Sequence, residues 1–225
     1  METRITEIEE ELEDMEYLED EYDEYANECR SALRIIEARL TNLQDTGIGD
    51  NCRNPFDDIK SRIKTFASVS DKCARKGYKF TIDSIKEMIK DIAAIRVTTL
   101  FRDEIYAIVR AIDLLPGITI VEREDYIKNP KANGYSSYHL VILVENLYRG
   151  QLKKTPVEVQ IRDKAMDLWA SLEHVIRYKN TSSRPCDIKK AEEVFGKLKD
   201  IIDDFDSQAM ELRDSEIQAK IAIKS

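Results

Sequence analysis

Between Thr155 and Lys179 the spacing of apolar positions changes once. Val157, Val159 and Ile161 alternate with Glu158, Gln160 and Arg162, the period of two of a strand with one face on a core. From Asp163 onward Ala165, Leu168, Trp169, Leu172 and Ile176 recur at three- and four-residue steps, which predicts a helix with Asp163 as its N-cap. The polar face of the strand carries an acid, an amide and a guanidinium beside a helix start. An ordinary half-wet sheet surface shows the same alternation, so the pattern alone leaves a site and a solvated face both open.

The same reading extends along the chain. Ile5, Ile8, Leu12, Met15, Tyr22, Tyr25, Cys29, Leu33, Ile36, Leu40 and Leu43, with an irregular step near Leu18, predict one long amphipathic helix or two joined ones, stopping at Gly47-Ile48-Gly49. Tyr17, Tyr22 and Tyr25 are expected on an interface or helix surface. Asn51 to Asp58 reads as a connection, and helical spacing resumes from Ser68 through Val69 and Cys73. A short helix follows over Thr81 to Lys90, then a strand opened by Asp91 with Ile92 and Ile95 inside. Asp103 to Leu115 is a helix closed by Pro116-Gly117, and Ile118 to Val121 a strand. Lys128 to Tyr138 is a loop turning at Asn133-Gly134, His139 to Val144 a central strand, Asn146 to Thr155 a polar turn, and Pro156 to Ile161 the opening strand described above. After Ser182-Ser183-Arg184-Pro185 a last helix, with Asp187 as its cap, carries Val194, Phe195, Leu198, Ile201, Ile202, Phe205, Ala209, Leu212 and Ile217. The order strand, helix, strand, strand, strand predicts a layered α/β (α+β) fold with long helical arms at both ends; with one strand beyond these four, a mixed sheet of about five strands flanked by helices is expected. The expected division is 1–50 acidic helical arm, 51–182 central domain and 183–225 C-terminal helix for packing and oligomerisation.

Composition sharpens this picture. No apolar run is long enough to span a membrane, and the acidic start METRITEIEEELEDMEY lacks a secretory signal's pattern, so a cytoplasmic location is expected. Cys29, Cys52, Cys73 and Cys186 stand singly, which argues against zinc or disulfides and for reduced packing or surface thiols. The net charge of −9 is uneven: residues 1–25 hold thirteen Asp/Glu against one Arg, while Lys60 to Lys90 holds nine Lys/Arg against three acids. An acidic end therefore masks a basic middle.

Four groups could meet at one cleft: Asp91, the basic segment 62–79, the Tyr135/His139 loop and Glu158. Clustered cations with the hydroxyl of Ser68 near a helix start suit phosphates, although a charge cluster also suits a solvated face. Two carboxylates without a Cys/His cluster favour a hard ion such as Mg²⁺. Glu158 could take a proton from a hydroxyl, and Tyr135 could lie against a base. Trp169 reads as core, His174 as a helix-surface or packing residue. No Walker-type glycine loop is present, so spacing leads to phosphoryl or nucleotidyl transfer and no further.

Four ordered motifs go further: Arg62-x-Lys64-x-x-x-Ser68-x-x-x-Lys72, Asp91-Ile-Ala-Ala-Ile-Arg96, Lys131-Ala-Asn-Gly-Tyr135-Ser-Ser-Tyr-His139, and Val-Glu158-Val-Gln160-Ile-Arg162 followed by Ala-Met-Asp-Leu-Trp169. Over about residues 60 to 180 the chain resembles the RelA/SpoT superfamily, and more closely its small stand-alone alarmone synthetases. The resemblance implies a GTP diphosphokinase of the stringent response, moving the β,γ-pyrophosphoryl group of ATP to the 3′-hydroxyl of GDP or GTP, with GMP a third acceptor. It implies that Arg62 and Arg96 sandwich adenine, that Lys64, Ser68, Lys72 and Arg75 hold the ATP phosphates, and that Asp91 and Glu158 bind Mg²⁺, with Glu158 also the base. Tyr135 would stack on guanine, with Lys131, His139 and Gln160 on the acceptor side.

It further implies a homotetramer through the terminal helices and no alarmone hydrolysis, since the hydrolase's His-Asp motif is missing; an alarmone or single-stranded RNA as a further ligand stays open, and no DNA or membrane partner is expected. Ser136 and Glu124 depart from the family's basic residues and remove positive charge on the acceptor side unless Arg123 or Lys128 substitutes. Two rival readings are a catalytically weakened guanine-nucleotide or single-stranded-RNA binding protein of the same fold, and a helical adaptor driven by the arms.

Overall fold

The computed structural model describes the backbone of residues 2–48, 54–179 and 185–224, with side chains described chiefly over 15–48, 54–176 and 190–219. Gly49, Cys52, residues 182–184 and the side chains of Ile5, Ile8, Leu12, Cys186 and Asp187 lie outside the described residues. The elements are α1 (Glu2–Thr46), β1 (Asp58–Ile63), α2 (Phe66–Lys76), α3 (Ile82–Met88), β2 (Ala93–Thr99), α4 (Glu104–Asp113), β3 (Ile118–Asp125), β4 (Tyr138–Tyr148), β5 (Gln151–Asp163), α5 (Lys164–Lys179) and α6 (Pro185–Lys224). The five strands form one mixed sheet in the order β1-β2-β5-β4-β3, with β2 and β5 parallel and the other pairs antiparallel.

Period two sorts the sheet into two unlike faces. Ile95, Val97, Leu140, Ile142, Val144, Val157, Val159 and Ile161 are buried on one side, in one core with Ile105, Ile108 and Ile112 of α4 and with Tyr22, Tyr25, Cys29, Leu33, Ile36 and Leu40 of α1. That burial is the main driving force of the fold. It also corrects the expectation for Tyr22 and Tyr25, which are 2% and 7% exposed, whereas Tyr17 is 67% exposed. A phenol's broad apolar ring makes it as good a core residue as a surface one, and spacing does not separate the two. Cys29 and Cys73 are buried free thiols.

Three further expectations are corrected. Asp58–Ile63 is a strand that no spacing predicts, and it takes over the last residue, Asp58, of the expected connection. It lies at the sheet edge with only Ile59 and Ile63 packed on the core, too few apolar positions for period two to stand out. The helix expected from Ser68 begins at Phe66 and is capped by Thr65, whose hydroxyl accepts from the Ser68 amide. The polar turn expected over Asn146 to Thr155 is mostly ladder, since Asn146 pairs with Lys153 and Tyr148 with Gln151. Only Arg149 and Gly150 turn, at φ 48° and 77°, the left-handed pair that two-residue hairpins require. The hairpin looks polar because its tip runs beyond the core.

On α5 the buried side chains are Met166, Trp169 and Ala170, while Leu168, Leu172 and Ile176 of the expected stripe are 59%, 43% and 40% exposed. Periodicity finds an apolar stripe but not its partner, and within the described residues this one has no cover. The α6 helix docks through Phe195, whose carbonyl accepts from Trp169 Nε1 at 3.1 Å, with Leu198 and Ile202 beside it. Its outer side leaves Val194, Ile201, Phe205, Leu212 and Ile217 exposed.

A charged clasp completes the docking. Arg102 reaches Asp163 at 3.5 Å, Asp203 at 2.6 Å and Asp206 at 2.5 Å, joining the end of β5 to α6. Substituting Arg102→Leu strands the buried Asp163 and Asp206 beside each other, and breaking such a buried pair costs on the order of 3 kcal/mol. Urea unfolding should show that loss, and α6 should become the first site of limited proteolysis. Burial, and then the charge of Asp206, pushes Asp163 up to about 7. An acid whose folded value is raised contributes stability below its unfolded value, about 4, that is lost as pH rises towards the folded one. The stability of D206N relative to the parent should therefore improve between about pH 4 and 7; a pH-independent difference in urea midpoints contradicts this.

Candidate active site

The polar face of the sheet sets its side chains by register. One cross-strand row runs Lys60, Arg96, Gln160, His139 and Glu124 from β1 to β3, and the next runs Arg62, Ala94, Glu158, Val141 and Glu122. In β3 a bulge between Ile120 and Glu122 reverses the alternation, so Ile118 and Ile120 share the core side while Glu122 and Glu124 join the polar face. Asp91, just before β2, lines a hollow with Lys72, Glu122, Glu124, His139 and Glu158. Arg62 and Arg96 line a second hollow beside it with Lys60 and Gln160. Segments distant in sequence thus share one surface.

Lys64 Nζ and Lys72 Nζ each lie 2.8 Å from Asp91, one on each carboxylate oxygen. Burial opposes ionisation of Asp91, but these two ammonium groups outweigh it and hold the carboxyl below its usual range. Lys64 is placed from behind, because its carbonyl accepts from the Tyr22 hydroxyl of α1. Ser68 lies exposed in the first turn of α2, next to Thr65, and Arg75 exposed in its last turn.

Glu158 is likewise half-buried; desolvation opposes its ionisation, and His139 and Gln160 overcome it to hold the carboxyl below its usual range. Gln160 Nε2 donates to Glu158 Oε2 at 2.7 Å, and His139 Nδ1 stands 3.4 Å from Oε1. On its other side His139 Nε2 meets the Tyr135 hydroxyl at 2.8 Å, and Arg162 Nη2 donates to that same hydroxyl at 2.5 Å. A guanidinium can only donate, so the Tyr135 oxygen accepts from it. The contact with Glu158 Oε1 calls for a proton on His139 Nδ1.

The Tyr135 loop folds on itself and on α6. The Lys131 amide donates to the Tyr135 carbonyl, the Gly134 amide to that of Lys131, and Asn133 Oδ1 caps the Tyr135 amide. Gly134 holds φ 86°, a conformation that calls for glycine, and a Cβ there would only reach ordinary contact with Trp169 at 3.4 Å and Lys199 at 3.6 Å. Lys131 Nζ lies 5.2 Å from the centre of the Tyr135 ring, and 4.2 Å from that of Tyr126. Trp169 is 2% exposed, a core residue. His174 is exposed on α5, away from the Tyr135–His139–Glu158 chain of contacts.

Two side chains in this surface carry no role in the sequence reading. Arg162 was visible as the third polar residue of the alternating strand. Asp167, in the first turn of α5, bonds Arg96 at 3.0 Å and Arg162 at 3.2 Å, and nothing in its spacing separates it from a solvated acid. Among the described residues no group of three or more His, Cys, Asp or Glu could hold a metal ion. The two ionised carboxylates of one hollow still fit a hard ion whose remaining ligands are water and phosphate oxygens.

Comparison with known proteins finds relatives over the region that carries this surface. Residues 61–183 match the family model described as the region found in RelA / SpoT proteins. GTP pyrophosphokinase YwaC of Bacillus subtilis (strain 168) is 42% identical over 132 residues, covering 59% of this chain and 63% of that protein. GTP pyrophosphokinase YjbM of the same organism is 31% identical over 160 residues, covering 71% of this chain and 74% of that protein. The crystal structure of the small alarmone synthetase 1 from Bacillus subtilis bound to its product pppGpp superposes with a TM-score of 0.77 at 27% identity, covering 86% of this chain and 97% of that one. The matched stretch spans less than two thirds of YwaC. With its five-stranded mixed sheet and matched central region, the chain belongs to the RelA/SpoT family.

Proposed function

We propose that this protein is a small alarmone synthetase, transferring the β,γ-pyrophosphoryl group of ATP to the 3′-hydroxyl of GDP or GTP and releasing AMP. The observation that carries the reading is the meeting of Asp91, Lys64, Lys72, Glu158 and the Tyr135–His139 pair on one sheet face, beside Arg62 and Arg96. The GTP pyrophosphokinases and the pppGpp-bound synthetase to which the chain is similar support it.

Arg62 and Arg96 flank the adenine, and Lys64, Ser68, Lys72 and Arg75 face the ATP phosphates. The guanine lies against Tyr135, with Lys131 displaced from over its ring; such stacking is worth about 1–3 kcal/mol per base. Gln160 and His139 orient the acceptor and Glu158 beneath it. The 3′-oxygen forms a bond to the β-phosphorus while the bond from that phosphorus to the α,β-bridging oxygen breaks, its electron pair leaving with AMP. Glu158 receives the hydroxyl proton, late in the step, because its own affinity for a proton is held low. Asp91 and Glu158 would hold Mg²⁺, which supplies charge neutralisation and alignment of phosphate oxygens.

The wider reading assigns 51–182 to catalysis, with 1–50 and 183–225 as helical arms. The bare stripes of α5 and α6 would be covered in a homotetramer. No helix among the described residues is long and apolar enough to cross a membrane; a cytoplasmic location is part of the proposal.

Incubation with ATP, Mg²⁺ and GDP or GTP should yield AMP and a 3′-pyrophosphorylated guanosine nucleotide. Glu158→Gln keeps the side chain's size and should cut turnover at least 100-fold with nucleotide binding retained; absence of AMP release by the parent protein at every acceptor concentration refutes the function.

Charge on the acceptor side generates a second expectation. With the donor over β1 and β2, the acceptor's 5′-phosphates extend towards β3, where Glu122 and Glu124 stand exposed. Neither offsetting cation is aimed there: Arg123 turns to Asp113 on the helical side at 2.5 Å, and Lys128 pairs with Asp125 at 3.6 Å and lies over Tyr106. KM should rise from GMP to GDP to GTP, and Glu124→Lys should narrow the spread several-fold; equal KM values for the three contradict the electrostatic argument.

A further inference from the structure

Asp167 occupies an unusual place. Its Oδ1 accepts from Arg96 Nη1 at 3.0 Å and from Arg162 Nη1 at 3.2 Å. Arg96 lines the hollow it shares with Arg62 and is a third exposed, so it is available to a ligand. Arg162 is not: its side chain is 7% exposed, and its remaining bonds go to the Tyr135 hydroxyl at 2.5 Å and to Gln160 Oε1 at 3.1 Å. Among the described residues Asp167 is the one carboxylate bonded to either guanidinium. One oxygen therefore stands between a residue of the donor hollow and the residue that fixes Tyr135, Gln160 and, through Gln160, Glu158.

We infer that Asp167 is a positioning residue that couples the two nucleotide positions, so that binding of the first nucleotide strengthens binding of the second. This rests on the proposed synthetase reading and adds to it. A guanidinium lying flat on a purine keeps its edge nitrogens free for in-plane bonds, so Arg96 can cover an adenine and remain on Asp167. Fixing Arg96 fixes that carboxylate. A fixed Asp167 holds Arg162 in the orientation that presents the Tyr135 hydroxyl and Gln160, and the ordering needed for a guanine nucleotide is then already done. Because coupling between sites is reciprocal, GDP must tighten ATP binding by the same factor.

The test is calorimetric titration of the full chain with GDP, in the absence and presence of saturating α,β-methylene ATP, whose bridging carbon blocks the bond that breaks. In the parent protein the analogue should tighten GDP binding at least fivefold, the lower end of ordinary site coupling. Asp167→Asn should bring the ratio to within twofold of one, while each nucleotide alone still binds. No coupling in the parent, or coupling undiminished in D167N, overturns the inference and leaves the synthetase reading intact. Failure of the parent to bind either nucleotide instead overturns the synthetase reading itself. Should D167N unfold because Arg162 loses its counter-charge, Tyr135→Phe cuts the same link at its other end and preserves the aromatic face. There the coupling ratio must fall at least threefold, and a ratio equal to the parent's overturns the proposal. A purely structural role for Asp167 would lower stability without changing this ratio.

Discussion

Register across the sheet is the constraint on which everything else rests. Side chains on a strand alternate with a period of two, so slipping β5 by one residue against β2 would turn Glu158 and Gln160 into the core and bring Val157 and Val159 out. The apolar cost of that slip is large, because Val157, Val159 and Ile161 are fully buried together with Leu140, Ile142 and Val144 of β4. The hydrophobic face thus positions the polar one. Asp91, Arg96, Glu158, Gln160 and His139 are aligned by residues that never touch a ligand, and the bulge in β3 extends the polar face to the sheet edge.

Within that frame the charges are arranged in pairs rather than as a diffuse basic patch. Asp91 is divided between two ammonium groups, and Glu158 between an imidazole and an amide. Both stay ionised although half-buried, at the cost of occupying the cations that phosphates would attract. Phosphates arriving at Lys64 and Lys72 exchange one anionic partner for another, so binding need not desolvate free charges.

Much of this was legible in the chain and some was not, for physical reasons. The strand β5, the cap at Asp163 and the core positions of β2 and β4 follow from period two and from a short polar side chain before a helix. Asp163 Oδ1 indeed accepts from the Met166 amide at 2.7 Å. The edge strand β1 escaped because an edge needs few apolar residues, and the hairpin tip because a ladder outside the core needs none. The motif residues Arg62, Lys64, Asp91, Tyr135, His139, Glu158 and Gln160 stand out by type and order, whereas Asp167 acquires its place only through contacts from residues 5 and 71 positions away in sequence.

The two-sidedness of α6 joins the acceptor loop to the rest of the molecule. Its inner side holds Trp169 through the Phe195 carbonyl and places Lys199 against Gly134, the turn that presents Tyr135. Its outer side keeps Ile201, Phe205 and Leu212 exposed. In the proposed assembly, covering those residues would stiffen α6 and with it the platform for the guanine, whereas the donor hollow, framed by β1 and β2, would be little affected. In such an assembly subunit contact and acceptor binding would share the same packed surface, through a helix rather than through any residue that reaches both.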